Sequence, residues 1–268
     1  MNRIVGSVLV RNEDVFLERA LLNIVEFCDE ILVQDHQSTD RTPEILARLA
    51  ARYPKITVRR IAHPAESNHA IAHLADTPTW IFGVDGDEIY DPAGLARMRA
   101  ALLAGQYDDW WVIFGNVLNC TALDLAAQRA TGHLAPPCRS MTKLYNFRLL
   151  RSVDPNARLR LAGAHNVFHD PAMLDRRLNL HEQHPWADAT FRCLHACFVP
   201  RSTLDAPDTV SRENVSESLN WVKRWRNRAR RLCGLGPETD YKLEKYRRGD
   251  LVTLGVADFF PPSQISPP

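Results

Sequence analysis

The 268-residue chain has no apolar run that approaches the ~20 residues of a membrane-spanning helix. Its amino terminus, Met1 to Val10, carries a single arginine and then only a strand-length apolar stretch, so no signal peptide is expected and the expected location is cytoplasmic. Six cysteines (Cys28, Cys120, Cys138, Cys193, Cys197 and Cys233) show neither Cys-x-x-Cys pairs nor a disulfide-dense framework, so free thiols are expected. Cys193-Leu194-His195-Ala196-Cys197 has the outline of a metal cluster. Strand alternation would set all three side chains on one face among apolar neighbours, and the two cysteines read as buried small hydrophobes. The net charge of +1 gives no global pull toward polyanions, so no nucleic-acid partner is expected. Glycine is absent from Val10-Arg11-Asn12-Glu13-Asp14, the segment after the first strand. A nucleotidyltransferase would need a glycine-rich, Lys/Arg-bearing loop there to hold a triphosphate. What remains, 45% apolar and 24% charged, is ordinary globular composition, enough for one large domain or one domain with an appendage.

Against that background one stretch stands out, Trp80-Ile81-Phe82-Gly83-Val84-Asp85-Gly86-Asp87-Glu88. A continuous apolar run is the signature of a strand buried on both faces, and here it runs straight into three acids. In open α/β sheets ligands bind at the carboxyl ends of such strands. Gly86 permits a tight turn that aims both aspartates at one space. Carboxylates this close repel unless a cation lies among them, and hard oxygen ligands select Mg²⁺ or Mn²⁺, which take further ligands from substrate phosphates. The pattern therefore predicts a divalent cation holding a diphosphate, with Asp87 exposed in a crevice.

The flanking sequence supplies the sheet. Ile4 to Val10 is a β-rich run, followed by a helix capped by Asn12 or Asp14 and reaching Cys28. Asp29 to Asp35 is a second strand, and Thr42 caps a helix whose first residue is Pro43 and whose end lies near Tyr53. Ile56 to Ile61 is a third strand, residues 66 to 76 look helical, and the Trp80 strand follows. Alternating strands and helices at this spacing predict a doubly wound, mostly parallel sheet that brings Val10, Asp35 and Asp85 to one edge. Further on, Asp91 starts a helix through Leu103, Trp110 to Phe114 is a strand, and Gly115-Asn116 at its end is placed where a sugar could lie. Residues 120 to 139 read as a variable loop or short helix. Met141 to Leu150 reads as a strand offering Lys143 and Arg148 to phosphate.

Three segments in this order, each after a strand, resemble family-2 glycosyltransferases of the GT-A fold: Val10-Arg-Asn-Glu13, then Asp35-His-Gln-Ser38-Thr39-Asp40-Arg-Thr42, then Asp85-Gly86-Asp87-Glu88. The resemblance covers roughly residues 1 to 115. It implies an α/β GT-A catalytic domain over residues 1–200, with a nucleotide-sugar half at 1–115 and an acceptor-side half at 116–200. A basic helical extension, 201–268, would pack on it. The resemblance further implies a nucleoside diphosphate sugar donor bound by Val10, Arg11, Asn12, Glu13, Asp35, Gln37, Ser38, Asn68, Asp85, Gly86 and Lys245. Asp85 would lie near ribose and metal, Asp87 would bind the metal directly, and Glu88 is a frequent companion. Many relatives carry Arg before the Asn at position 68, where this chain has Ser67.

The same resemblance implies a histidine completing the metal shell, for which His195 comes first and His165 second. An inverting transfer needs a general base downstream of the metal motif. Asp170, Asp175, Glu182 and Asp188 lie in that region, with Glu182 preferred. Residues 220–232 carry six positive side chains, no acid, and Trp221, Val222, Trp225, Ala229 and Leu232 at helical spacing. A basic amphipathic helix of that kind suits peripheral membrane contact and a lipid-linked or glycan acceptor. A solvated basic face packed on the core stands beside it as an equal alternative. The function expected is metal-dependent glycosyl transfer with inversion. A nucleotidyltransferase, or a non-catalytic nucleotide-sugar or glycan-binding protein, remains as the alternative.

Overall fold

The computed structural model describes residues 1–140, 142–157, 161, 166–205 and 245–261. In chain order the strands and helices are β1 (Arg3–Val10), α1 (Leu17–Ile24), β2 (Glu30–Asp35), α2 (Thr42–Arg52), β3 (Ile56–Arg60), β4 (Thr79–Asp85), β5 (Glu88–Tyr90), α3 (Pro92–Leu103), β6 (Val112–Phe114), β7 (Asn116–Asp124) and β8 (Arg129–Ala135). Then come β9 (Lys143–Asn146), β10 (Leu150–Val153), β11 (Asn166–Phe168), β12 (Arg177–Asn179), α4 (Leu180–Gln183), β13 (Arg192–His195) and β14 (Leu251–Gly255).

The larger sheet has the order β12-β6-β9-β4-β1-β2-β3, with β9 antiparallel to both neighbours and the other pairs parallel. Alternation along each strand divides its side chains between two cores. Ile4, Val8 and Val10 of β1 and Trp80, Phe82 and Val84 of β4 face one side, against α1, α2 and α3. Val5 and Ile81 face the other side, where Ile71, Leu74, Leu150 and Phe168 cover them. The chain moves outward from β1 through β2 to β3, then crosses to the far side of β1 as β4. Strand order therefore reverses between β1 and β4, the topological switch point where such sheets bind ligands. Register brings the expected residues together there: Val10 lies beside Asp35, and Leu9 beside Asp85.

The smaller sheet, β14-β8-β7-β13-β5, meets the larger one where β4 leads into β5. Of residues 120–139, those up to Ala135 belong to this sheet and its connecting turn. They form most of the β7–β8 hairpin rather than a loop or short helix, since the small residues Ala130 and Gly132 share the buried face of β8 and let it lie close against β7. Residues 66–76 are two 3₁₀ turns, Pro64–Ala70 and Ala72–Leu74, in place of a helix. Pro64 and the His63 cap start the first of them. α1 begins at Leu17 with no side-chain cap, because Asp14 is engaged by Arg41 and Thr203 instead. α2 is preceded by Arg41, while the Thr42 hydroxyl accepts a bond from the Glu13 amide. The expected basic helix at 220–232 lies outside the described residues. The described end of the extension is a strand, β14, antiparallel to β8. The described thiols, Cys28, Cys120, Cys138, Cys193 and Cys197, are all free and buried.

Candidate functional site

The acids occupy the crossing between the two sheets: Asp85 ends β4, Gly86 and Asp87 turn, and Glu88 opens β5. Gly86 is not required for a positive φ, which among the described glycines only Gly105 and Gly249 adopt. It is required for space. A Cβ at Gly86 would stand 2.3 Å from Glu13 Oε2 and 3.0 Å from Val10 Cγ1. The loop after β1 thus lies directly against the acidic turn. That loop is also sewn to the loop after β2. The Asn12 amide donates to Ser38 Oγ, the Thr39 amide donates to Asn12 Oδ1, and the Ser38 amide donates to Asp35 Oδ1. Asn12 and Gln37 hold left-handed backbones at φ 53° and 57°, where short polar side chains are best tolerated. Arg11 and Gln37 are exposed, and Val10, Glu13, Asp35 and Ser38 are buried.

The acids have different environments. Glu88 is buried and its Oε2 accepts from the Asp85 amide and the Tyr90 hydroxyl, so it braces the turn from within. Burial first, then the Asp85 carboxylate, push its pKa up to about 8, with Lys143 acting the other way. Asp85 is half-buried. Asp87 corrects the expectation of an exposed ligand, for its side chain is 0% accessible. Arg201 covers it, with Nη1 3.6 Å from Asp87 Oδ2 and 3.2 Å from Glu13 Oε1.

His195 closes the far side. It ends β13 opposite Glu88, is 1% accessible, and places Nε2 3.9 Å from Asp87 Oδ1. Its Nδ1 lies 2.9 Å from Asn119 Oδ1, and the Cys197 thiol donates to the same oxygen. The Asn119 contact fixes the plane of the imidazole and turns Nε2 toward Asp87. The Tyr246 ring stands edge-on to His195 at 5.7 Å, which brings the neighbouring Lys245 to this side of the molecule.

Among the described residues no three of Asp, Glu, His and Cys form a closed metal cage. The donor set nevertheless fits a hard divalent ion. A carboxylate and an imidazole nitrogen 3.9 Å apart can share one ion at ~2.1 Å from each, and such ions complete their shells with water and phosphate. The second imidazole nitrogen also has the oriented partner that metal-binding histidines use.

Several expected residues do not converge here. Asp170 lies at the opposite sheet edge. It caps the 3₁₀ turn Pro171–Asp175 and lines a cavity of about 460 Å³ with Asp109, Arg148 and His169, so it cannot serve as a base beside Asp87. Asp175, in the same turn, is exposed. Arg148 pairs with Asp108 there and offers nothing to a phosphate at Asp85. Asp188 is exposed in the loop before β13, whose first residue, Arg192, is bound to Asp91 at the end away from His195. Glu182 follows β12, whose carboxyl end does share the edge with that of β4. It stands three strands away, about 14 Å at ~4.8 Å per strand, and bonds to Asn179. Asn68 is buried, donating to the Ala157 carbonyl and accepting from the Leu161 amide, so it pins a loop instead of facing a nucleotide. The Gly115–Asn116 step has no room for a sugar, as Phe191 fills the space at Gly115 and Asn116 bonds to the His184 carbonyl. Trp110 stacks under Arg176, and Trp111 is core. His165 lies outside the described residues.

Sequence inspection missed Arg201, Asn119 and Tyr246. Arg201 is 114 residues from Asp87 and sits in no motif, and Asn119 is recognisable only as the strand neighbour of His195.

The family model for glycosyl transferase family 2 matches residues 8–172, more than half of the chain. No curated protein sequence matches it. Among solved structures, the chain is similar to a mannosyltransferase from Pyrobaculum calidifontis in complex with GDP-Man and Mn²⁺, at 16% identity and a TM-score of 0.40, covering 73% of this chain and 57% of that one. It is similar to glucosyl-3-phosphoglycerate synthase from Mycobacterium tuberculosis in complex with phosphoglyceric acid, at 19% identity and a TM-score of 0.40, covering 66% of this chain and 69% of that one. A cytidylyltransferase from Leptospira borgpetersenii is similar at 12% identity and a TM-score of 0.37, covering 90% of this chain and 100% of that one. The family match begins inside β1 and runs through the acidic crossing and the strands beyond it, and on that ground the chain belongs to glycosyl transferase family 2 and has its GT-A fold.

Proposed function

We propose that the chain transfers a glycosyl group from a nucleoside diphosphate sugar to a hydroxyl, with inversion, using Mn²⁺ or Mg²⁺ held by Asp87 and His195 with Asp85 alongside. The observation that carries this is the facing pair Asp87 Oδ1 and His195 Nε2, 3.9 Å apart at the switch point, with Asn119 fixing the imidazole. Family membership favours glycosyl transfer over nucleotidyl transfer or simple binding.

When bound, the cation would offset negative charge growing on the departing diphosphate. The chain's own residues would do the rest. The sewn loops after β1 and β2 present Arg11, Asn12 and Gln37 at the edge where the base and ribose would lie, with Asp35 buried behind them holding the turn. Glu88 keeps the Asp85 amide and Tyr90 hydroxyl in place, so the acidic turn need not reorganise as the donor enters. Lys245, next in the chain to Tyr246, would meet the diphosphate from that side. Glu182 would act as the general base, with the donor sugar extended from the cation across the ends of β9 and β6, so that the anomeric carbon and the attacking hydroxyl lie beside it. Residues 1–200 would form the catalytic domain. The extension 201–268 would close over it, with 220–232 touching a membrane surface that carries a lipid-linked acceptor or, without membrane, a glycan. Among the described residues no helix is long and apolar enough to cross a membrane.

A thermal-shift panel of UDP, GDP, dTDP and CDP and their sugars, with and without Mn²⁺, tests the proposal. Ligand at a hundredfold excess over its dissociation constant stabilises the fold by about 2.7 kcal/mol. The expected result is a Mn²⁺-dependent shift for one base. Shifts for none of them would contradict it.

A further inference from the structure

Arg201 belongs to no segment that the family resemblance covers, and the architecture around it is specific. It opens a short turn clamped at three points. The Thr203 amide and hydroxyl both donate to Asp14, at 2.8 and 2.6 Å. The Ser202 hydroxyl donates to Asp40 at 2.7 Å. The Arg201 and Ser202 amides donate to Asp205, which closes the turn on itself. Asp14 and Asp40 belong to the loops after β1 and β2, so the turn is fixed to the framework of the donor edge. From that platform the guanidinium reaches between Glu13 and Asp87.

Two observations turn this into a statement about the cation site. Glu13 and Asp87 are 4% and 0% accessible, and the Arg201 guanidinium lies within 3.6 Å of an oxygen of each, so it supplies the positive charge that a buried acidic pair calls for. Arginine is charged at every relevant pH, and a single nitrogen, Nη1, faces an oxygen of each carboxylate. Secondly, Asp87 and His195 are both closed to solvent, whereas the Arg201 side chain keeps 21% of its surface in water. An incoming ion can reach Asp87 only if a neighbour moves, and among the described residues Arg201 is a neighbour with solvent to move into.

We propose that Arg201 is a resident counter-ion of the cation site. It neutralises Asp87 and Glu13 in the metal-free protein and must release Asp87 before a divalent ion binds there. This rests on the assignment of Asp87 as a metal ligand. Arg201 is a positioning residue in this account. It keeps the empty site charged-balanced and shut, and it makes metal binding conditional on a group, such as a diphosphate, that can receive the guanidinium in exchange.

The test is a Mn²⁺ titration without nucleotide, read from the electron paramagnetic resonance signal of free Mn²⁺, on wild type, Arg201→Gln, Arg201→Lys and Asp87→Asn. Removing a competing charge should tighten Mn²⁺ binding in Arg201→Gln by about tenfold, within the usual range of coupling between two sites. Arg201→Lys, which keeps the charge on a more strongly hydrated and less far-reaching group, should fall between that variant and wild type. Mn²⁺ should also raise the melting temperature of Arg201→Gln more than that of wild type, a result that a merely structural arginine would not give. Equal or weaker Mn²⁺ binding in Arg201→Gln overturns the inference while leaving Asp87 as a ligand. If Arg201→Gln does not fold, Arg201→Lys decides: tighter binding than wild type supports the inference, and equal or weaker binding overturns it. Asp87→Asn that binds Mn²⁺ as wild type does would remove the ligand assignment and the inference with it.

Discussion

The chain passes directly from the larger sheet to the smaller one twice, from β4 to β5 at Gly86-Asp87 and from β6 to β7 at Gly115. Both crossings use a glycine where no Cβ fits, but the atoms in the way differ. At Gly86 the nearest atom is the carboxylate tip of Glu13, a side chain that can swing aside. At Gly115 it is the backbone carbonyl of Phe191 at 2.3 Å, with the Phe191 ring just behind. The first crossing is surrounded by charge: Glu13, Asp85, Asp87, Glu88, His195 and Arg201. The second is surrounded by packing, with Phe191 stacked on Tyr90 and the hydroxyls of Ser140 and Thr142 satisfying the Gly115 carbonyl and amide. One turn of chain can therefore be a site or a joint, and what decides is which neighbours the rest of the fold brings to it.

The largest stability effect should come from forcing a methyl group into the joint. Gly115→Ala should destabilise the protein by about 3 kcal/mol, at the upper end for overpacking against backbone, as read from urea unfolding. Gly86→Ala should cost only about 1 kcal/mol because Glu13 can yield. By displacing Glu13 from Arg201 and the acidic turn it should still weaken Mn²⁺-dependent nucleotide binding in calorimetry. If Gly86→Ala proved as destabilising as Gly115→Ala, the distinction between site and joint would fail.

Asn119→Ala frees the His195 imidazole without touching Asp87, and should weaken Mn²⁺ binding by about 10-fold to 100-fold, the usual cost of losing an orienting partner. The smallest effect belongs to Asp170→Asn, at the opposite edge. Turnover with the donor identified by the thermal-shift panel should be unchanged, and a loss of more than about tenfold, worth 1.4 kcal/mol, would return Asp170 to the catalytic machinery.

The two crossings also differ in how far they could be read from sequence. The parallel half was legible because buried strands spell themselves as apolar runs, and each run ends in a polar cluster. β1, β2 and β4 came out with Val10, Asp35 and Asp85 at one edge. What escaped was set by contact between distant segments. Nothing local in Arg201 marks its place between Glu13 and Asp87. Asn68 matched a position in a pattern, yet its amide is spent on Ala157 and Leu161. The β7–β8 hairpin was hidden because Ala130, Gly132 and Ala135 gain their strand character from packing against β7 and β14, not from intrinsic preference. Asp170 and Glu182 could be ranked only after the sheet fixed which edge each one occupies.

The most direct test of the account is calorimetric titration of the nucleoside diphosphate selected by thermal shift, with and without Mn²⁺, into wild type and Asp87→Asn. The account predicts that Mn²⁺ tightens nucleotide binding to wild type and has no effect on the variant, which keeps its shape and its fold. Equal Mn²⁺ enhancement in both proteins would contradict the placement of the cation at the β4–β5 crossing.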